Sequence, residues 1–461
     1  MNMAPYYYEY NNFITNLLED YVEDLQKDFP AIFKLGEYTV TLPVLYSIHL
    51  KAFFEEWSKI YEKWYKIKPI EEITAHFRML LDIYYKTYLP IIEKVDRKAI
   101  KEYELYSELK SYRKQVMIYI YNTRQLEYIA SFIKKLNCPV ILMADFSITL
   151  DANEYNKVTC LNIADITETA LFNSFIKTCF PLVLSLFNKF DLLIRLLQPS
   201  VIIVVDGSHL QEQILGMVGK QYAVPTVGVQ QKWPLLLPYC FKNIPYDYFF
   251  TWGKHFITFW KSFNSHTQFL IGGYLKNVGL EKEKTKITFF FQSPAVVQGA
   301  DYYNRFIQFI RKCAETFPTQ QFWVREHPEH ILSSEVRDQL TAYKNITLLV
   351  DYSLSEIFAE TILLVASSSS CLMEGLAYNC IPFVLNFSCA SHYYPDMEKE
   401  GFGMVAENEN KGVEKMSRFI KDKVFRATFQ QKYFREKSGF FQSFSDLTFN
   451  MERFIQKLIY R

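Results

Sequence analysis

Leu363–Phe387 reads LLVASSSSCLMEGLAYNCIPFVLNF, and the fold turns on how it is parsed. The apolar run ending at Ala366 is a short strand. CLMEGLAYN has the apolar spacing of a helix, and IPFVLNF is a second apolar run. Strand, loop, helix and strand in succession make one β-α-β unit of a parallel sheet. Ligands of such sheets collect beyond the carboxyl ends of the strands, which is where the four serines stand. Backbone N–H groups at a helix start are unpaired and partly positive, and serine hydroxyls add donors. Ser367, Ser368, Ser369 and Ser370 are therefore a candidate phosphate cradle. Glu374, one helical turn further on, is spaced to accept from ribose hydroxyls. A plainer reading has one serine capping the helix with Glu374 as its capping-box partner, which accounts for one serine and leaves three.

The same alternation extends in both directions. Upstream, CPVILMADF, KVTCLNI, PSVIIVVDG, PTVGVQQ, YDYFFTWG and QFLIGG read as strands, with HLQEQILGMVGKQYAV as a helix and a further helical stretch over 167–197. VIIVV is a continuous β-branched run of the kind buried on both faces of a parallel sheet. LEKEKTK, Leu280–Lys286, is a charged break. After it ITFFFQ, QFWVREH, NITLLV, TILLVA and IPFVLNF read as strands separated by helices, and helices close the chain. Residues 1–135 show apolar positions at three- and four-residue spacing, including LYSELKSYRKQVMIYIYNTRQLEYIASFIKKL, and read as helices. The expected organisation is a helical N-terminal region over 1–135, one α/β domain over 136–280 and a second over 281–461, with a cleft between the two α/β domains.

Three further places carry chemistry. In WVREHPEH, a strand continuing to His327 would turn Arg325 and His327 to one face, where a histidine can donate to a phosphate oxygen. In VIIVVDGSHLQEQ, Asp206 ends a buried strand and is a candidate general base or nucleophile, against the plainer reading of Asp-Gly as a turn pair. Ser208 and Gln211 form a candidate capping box for the next helix. In PTVGVQQKWP, Gln230, Gln231 and Lys232 leave a strand of the same domain, so with Ser208 they are candidates to line an acceptor cleft.

Composition narrows the class. With 49% hydrophobic and 22% charged residues among 461, the chain has ample core for more than one domain. A formal net charge of +1 gives no argument for nucleic acid, so any anion site must be local. The eight cysteines form no CxxC pair and mostly sit in apolar segments, as reduced, buried thiols do. No DxD motif stands near an expected strand end, so no metal and no other cofactor is expected. MNMAPYYYEYNNF has no basic or apolar signal region, and FPLVLSLFNKFDLLIRLL is interrupted by charges. The expected location is cytoplasmic. Peripheral contact with the inner face of the membrane stays open through aromatic- and lysine-rich helices such as KAFFEEWSKIYEKWYKIK.

Together these pieces resemble the GT-B glycosyltransferases that build bacterial surface polysaccharides, over about residues 137–461. Glu326–Pro328 and Ser367–Ser370 resemble the His-Pro and serine motifs of capsule-type Kdo transferases and bacterial sialyltransferases. In those families the histidine and serines contact the nucleotide phosphate. VDGS at Val205–Ser208 is similar to the acidic-acidic-Gly motif whose aspartate serves as general base, with Val205 at the first acidic position. PTVGVQQKW is similar to a Pro-Thr-x-Gly-x-Gln-His segment, with Gln231 at the histidine position. The resemblance implies a metal-independent transferase that moves a sugar from a nucleotide donor, preferably Kdo or sialic acid from CMP, to a glycan or glycolipid acceptor. UDP- or GDP-hexose transfer, polyol-phosphate transfer of the teichoic-acid type, and an inactive glycan-binding protein are the alternatives.

Overall fold

The computed structural model describes residues 67–93, 109–163, 186–232 except 188, 241–278 except 242 and 277, 282–291, 299–327, 331–387 except 368, 397–460 except 443, and scattered positions between 10 and 64. The candidate cradle residue Ser368, Pro328, most of KAFFEEWSKIYEKWYKIK and 167–185 of the expected helix lie outside these residues. Among the described residues no helix is long and apolar enough to cross a membrane.

The chain divides into two compact units. Tyr10–Gln231, Pro238–Lys276 and Ser443–Arg461 group together, and Asn277–Gln442 form the bulk of the other. In the first, a short hairpin, β1 (Lys34–Leu35) and β2 (Tyr38–Thr39), and helix α1 (Ile70–Glu93) precede the sheet. The elements that follow are β3 (Val116–Ile120), α2 (Thr123–Lys135), β4 (Val140–Ala144), β5 (Val158–Asn162), β6 (Val201–Val205), α3 (Leu210–Gln221), β7 (Thr226–Val229), β8 (Tyr248–Thr251), α4 (Lys254–Lys261) and β9 (Gln268–Ile271). All seven strands from β3 to β9 are parallel, in the order β5-β4-β3-β6-β7-β8-β9.

The second unit holds β10 (Lys286–Phe290), α5 (Gly299–Thr316), β11 (Phe322–Arg325), α6 (Ser334–Thr341), β12 (Ile346–Leu349), α7 (Leu354–Glu360), β13 (Thr361–Ala366), α8 (Cys371–Ala377) and β14 (Ile381–Leu385). It ends with α9 (Met397–Glu400), β15 (Met404–Ala406), α10 (Glu409–Lys421) and α11 (Lys423–Phe440). Its six strands are also all parallel, in the order β12-β11-β10-β13-β14-β15. Each sheet therefore runs outward from its first strand, returns, and continues from its fourth strand in the opposite direction. The direction reverses between β3 and β6 in one unit and between β10 and β13 in the other. The last helix, α12 (Phe444–Ile459), groups with the seven-stranded unit. Its Phe454 packs on Tyr248 and Phe250 of β8, with ring centroids 4.8 and 5.6 Å apart.

The helical reading of 105–136 is corrected at its centre. Val116–Ile120 is a strand, the first of the sheet, so the α/β organisation begins before residue 136. VMIYI is buried at every position, so it lacks the alternation of a half-exposed strand, and its apolar residues also suit helical spacing. The breaks on either side are conformational. Lys114 has φ +61, and Asn122 caps α2 by accepting from the Gln125 N–H. β15, three residues long, is likewise a strand beyond those read from the sequence.

Packing is close where strands meet aromatic side chains. A Cβ on Gly228 in β7 would lie 2.4 Å from Cδ2 and 2.6 Å from Cε2 of Phe249, a ring that is fully buried. Gly228→Ala is therefore expected to destabilise the protein by about 1–3 kcal/mol through overpacking, read as a lower urea midpoint. An unchanged midpoint would show that Phe249 can step aside.

Candidate functional site

In the seven-stranded unit the site is built where β6 ends. Asp206 has φ +79 and Gly207 φ +75, so two left-handed residues in succession turn the chain from strand to helix. That conformation is uncommon for a residue other than glycine, and such outliers collect at functional sites. The turn is held on both sides: Asp206 N–H donates to Val229 O at 2.7 Å, and Tyr246 O–H donates to Gly207 O at 3.0 Å. A Cβ at Gly207 would meet the Tyr246 and Phe249 rings at 3.0 Å. Asp206 is completely buried. Its Oδ2 accepts from the Ser208 hydroxyl at 2.6 Å and lies 3.6 Å from His209 Nε2.

The capping box expected from Ser208 and Gln211 is corrected by one residue. His209 is the N-cap of α3, and Glu212 is its partner, accepting from His209 N–H at 3.0 Å. Ser208 donates its hydroxyl to Asp206 instead. Sequence reading passed over His209 and Tyr121. The Tyr121 ring stacks on the His209 ring at 4.5 Å and 16°. Gln125 ties this arrangement to the sheet: its Oε1 accepts from Tyr121 N–H at 2.5 Å, and its Nε2 donates to Val205 O at 2.7 Å and to Glu212 Oε1 at 2.8 Å. Tyr121 follows β3 and Asp206 follows β6, so the group sits at the carboxyl edge where the strand order reverses. The signal for Tyr121 lay in reading VMIYI as a strand.

Next along the same edge, Asp145 follows β4. It accepts from Lys189 Nζ at 2.9 Å and from the Tyr119 hydroxyl at 2.6 Å. Burial, with the Asp145 carboxylate adding to it, holds the Tyr119 hydroxyl far above its ordinary pKa, so it stays a neutral donor. Gln230, beyond β7, has a structural engagement: its Oε1 accepts from Trp252 N–H at 2.8 Å, and its backbone oxygen accepts from Tyr128 and Trp252 side chains at 2.8 and 2.9 Å. Gln231 and Lys232 are half-exposed, and Lys232 groups with the other unit.

In the six-stranded unit, Ser367 follows β13 and is buried. Ser369 Oγ accepts from Cys371 N–H at 3.3 Å. Ser370 occupies the N-cap position without a side-chain cap bond and donates its hydroxyl to Glu374 Oε1 at 3.2 Å. The serines thus differ from the expected capping box, in which Glu374 would reach a backbone N–H. Strand β11 ends at Arg325, short of His327. The Arg325 guanidinium donates to Leu349 O at 3.0 Å and Val350 O at 2.5 Å, joining β11 to the end of β12. Glu326 takes a two-pronged bond from Arg337 at 2.8 and 2.6 Å and accepts from Leu332 N–H at 3.3 Å, so the segment bearing His327 is anchored on its neighbour. Tyr303 on α5 has its hydroxyl pushed up to about 12 by burial and by the Glu326 carboxylate.

Two parallel α/β units of this kind, each with the strand order of a dinucleotide-binding fold, define the GT-B-like class. The chain is similar to solved structures of that fold. One is a UDP-GlcNAc 2-epimerase from Neisseria meningitidis bound to UDP-GlcNAc, at 11% identity over 75% of this chain and 99% of that one, with a TM-score of 0.52. Another is the Methanocaldococcus jannaschii UDP-GlcNAc 2-epimerase in complex with UDP-GlcNAc and UDP, at 12% identity over 75% and 100%, with a TM-score of 0.51. A third is the wall teichoic acid polymerase TagF, at 12% identity over 82% and 98%, with a TM-score of 0.49. At such identities what the chain shares with the two epimerases is the fold. No protein-family model matches the sequence, and no curated protein does.

Proposed function

We propose that this chain is a nucleotide-sugar-dependent glycosyltransferase that moves a sugar to a glycan or glycolipid acceptor without a metal ion. One observation carries the reading. Both sheets reverse their strand order, and the candidate residues stand at the reversals: Asp206 at the end of β6, and Ser367, Ser369 and Ser370 at the end of β13. Open α/β sheets bind ligands at such switch points. In the reaction an acceptor hydroxyl oxygen bonds to the anomeric carbon as the bond from that carbon to the nucleotide's phosphate oxygen breaks. The electron pair leaves with the phosphate, whose charge is taken up by the Ser369 and Ser370 hydroxyls and His327. Glu374 holds the ribose. In the seven-stranded unit Asp206 is the candidate base for the acceptor's proton, with Ser208, whose hydroxyl bonds to its Oδ2 at 2.6 Å, as the candidate relay.

The preferred donor is CMP-linked Kdo or sialic acid, on the resemblance of Glu326–Pro328 and Ser367–Ser370 to the motifs of those transferases. Nucleotide sugars as a ligand class also agree with the UDP-GlcNAc bound by the two similar epimerases. A thermal-shift panel of CMP, CDP, UDP and GDP tests the proposal, since a ligand at about 100 times its Kd adds about 2.7 kcal/mol. CMP is expected to give the largest shift. A response to UDP or GDP alone would move the donor to a hexose. A response to CDP with phosphate in the product would mean polyol-phosphate transfer. No response to any of them would leave a glycan-binding protein and sink the reading. Changing Ser369→Ala and Ser370→Ala together removes two donors to a charged phosphate and is expected to weaken nucleotide binding by at least about tenfold. Unchanged affinity would remove the serine loop from the site.

A further inference from the structure

We infer that Asn386 is a further nucleotide-recognising residue, whose side-chain oxygen accepts a hydrogen bond from an N–H or O–H of the nucleoside. The inference rests on the donor reading above and extends it to a residue that the motifs do not include. Asn386 directly follows β14, the strand paired in parallel with β13. Ala366 is opposite Val384 in that pairing, so the chain leaving β14 at Asn386 emerges beside the serine loop that leaves β13 at Ser367.

The backbone around Asn386 is fixed. Its N–H donates to Ala406 O at 2.7 Å. The next carbonyl, Phe387 O, accepts from Arg305 Nη1 at 2.6 Å, and the Arg305 guanidinium lies 5.0 Å from the Phe387 ring centroid. Arg305 is itself held by both oxygens of Glu409, at 2.6 and 3.0 Å. On this rigid support Asn386 is only 8% exposed, and its buried Oδ1 meets no hydrogen-bond donor among the described residues. An amide oxygen buried without a donor costs stability. Four other interior amides, Gln125, Gln230, Asn264 and Asn345, make hydrogen bonds between 2.6 and 3.1 Å. The Asn386 oxygen stands at the carboxyl edge of the sheet, next to the proposed phosphate loop, where a ligand can supply what the chain withholds. A neutral amide oxygen does not attract phosphate. It matches the neutral donors of a nucleoside, a ribose hydroxyl or a base N–H.

Asn386→Leu keeps the volume and removes the acceptor. The test uses the full chain, and calorimetry with whichever nucleotide stabilises the wild type most. The Kd is expected to rise about tenfold, while the unliganded protein's Tm stays level or rises because the orphaned oxygen is gone. Deoxyribose and base-exchanged nucleotides separate the two sources of the donor: the analogue lacking it binds wild type and Asn386→Leu alike. Equal affinity of the parent nucleotide for both proteins overturns this inference and leaves the donor reading standing. A clear drop in the unliganded Tm assigns Asn386 to packing and likewise overturns it. A wild type that binds no nucleotide overturns the donor reading, and this inference with it.

Discussion

Asp206→Asn is expected to leave nucleotide affinity and folding intact and to lower turnover by roughly 10²–10⁴-fold, the range for a lost general base. Asparagine is the right probe because the position demands a left-handed backbone, φ +79, which asparagine adopts more readily than other residues with a side chain. The amide oxygen can still accept from the Ser208 hydroxyl, so the neighbouring bond survives. What is lost is the negative charge that receives the proton. Ser208→Ala cuts the same path and is expected to lose turnover in parallel. Nucleotide release with a responsive donor gives kcat, and thermal shift gives affinity. Turnover near the wild-type rate would remove Asp206 from the chemistry. A parallel loss of affinity would mark it as a structural residue of the turn.

Asp145→Ala is expected to destabilise the protein by about 3–5 kcal/mol, because it leaves a buried charge without its partner. Lys189 is 2% exposed and its ammonium bonds to Asp145 Oδ1. The Tyr119 hydroxyl, raised in pKa and buried, loses its acceptor in the same step. Asp145 is 31% exposed, so the reverse change is milder: without Lys189 the carboxylate can still turn to water. Replacing the pair with leucine and methionine should recover much of the loss. Urea unfolding followed by far-UV circular dichroism reads the difference. A loss under about 1 kcal/mol would show that Lys189 finds water or another acceptor when Asp145 is gone.

Much of the architecture could be read along the chain, and the reason is physical. A strand buried on both faces between helices must be a short continuous apolar run, which makes VIIVV, TILLVA and IPFVL visible without any partner. The same property hid β3: VMIYI sits among helix-forming neighbours, and a run without alternation suits either period. At the site, the carboxyl-edge rule picked out Asp206 and the serine loop from strand ends alone. It could not find His209, which is brought to Asp206 by the turn at Gly207, or Tyr121, which arrives from a strand remote in sequence. It also could not tell that Arg325 and Gln230 are occupied by carbonyl and N–H groups of adjacent strands, because those bonds depend on which strands are neighbours.

The sequence by itself determined that this is a chain of alternating strands and helices with an acidic turn after one buried strand and a serine loop after another. Local apolar continuity, turn residues and helix spacing are short-range properties, and they are written wherever they act. Only the tertiary structure decided the order of the strands. That order places both features at switch points, sets Tyr121 against His209, and strands the Asn386 oxygen beside the serine loop. Strand order is a property of long-range pairing between segments that are each equally apolar, so nothing within any one of them specifies its neighbour.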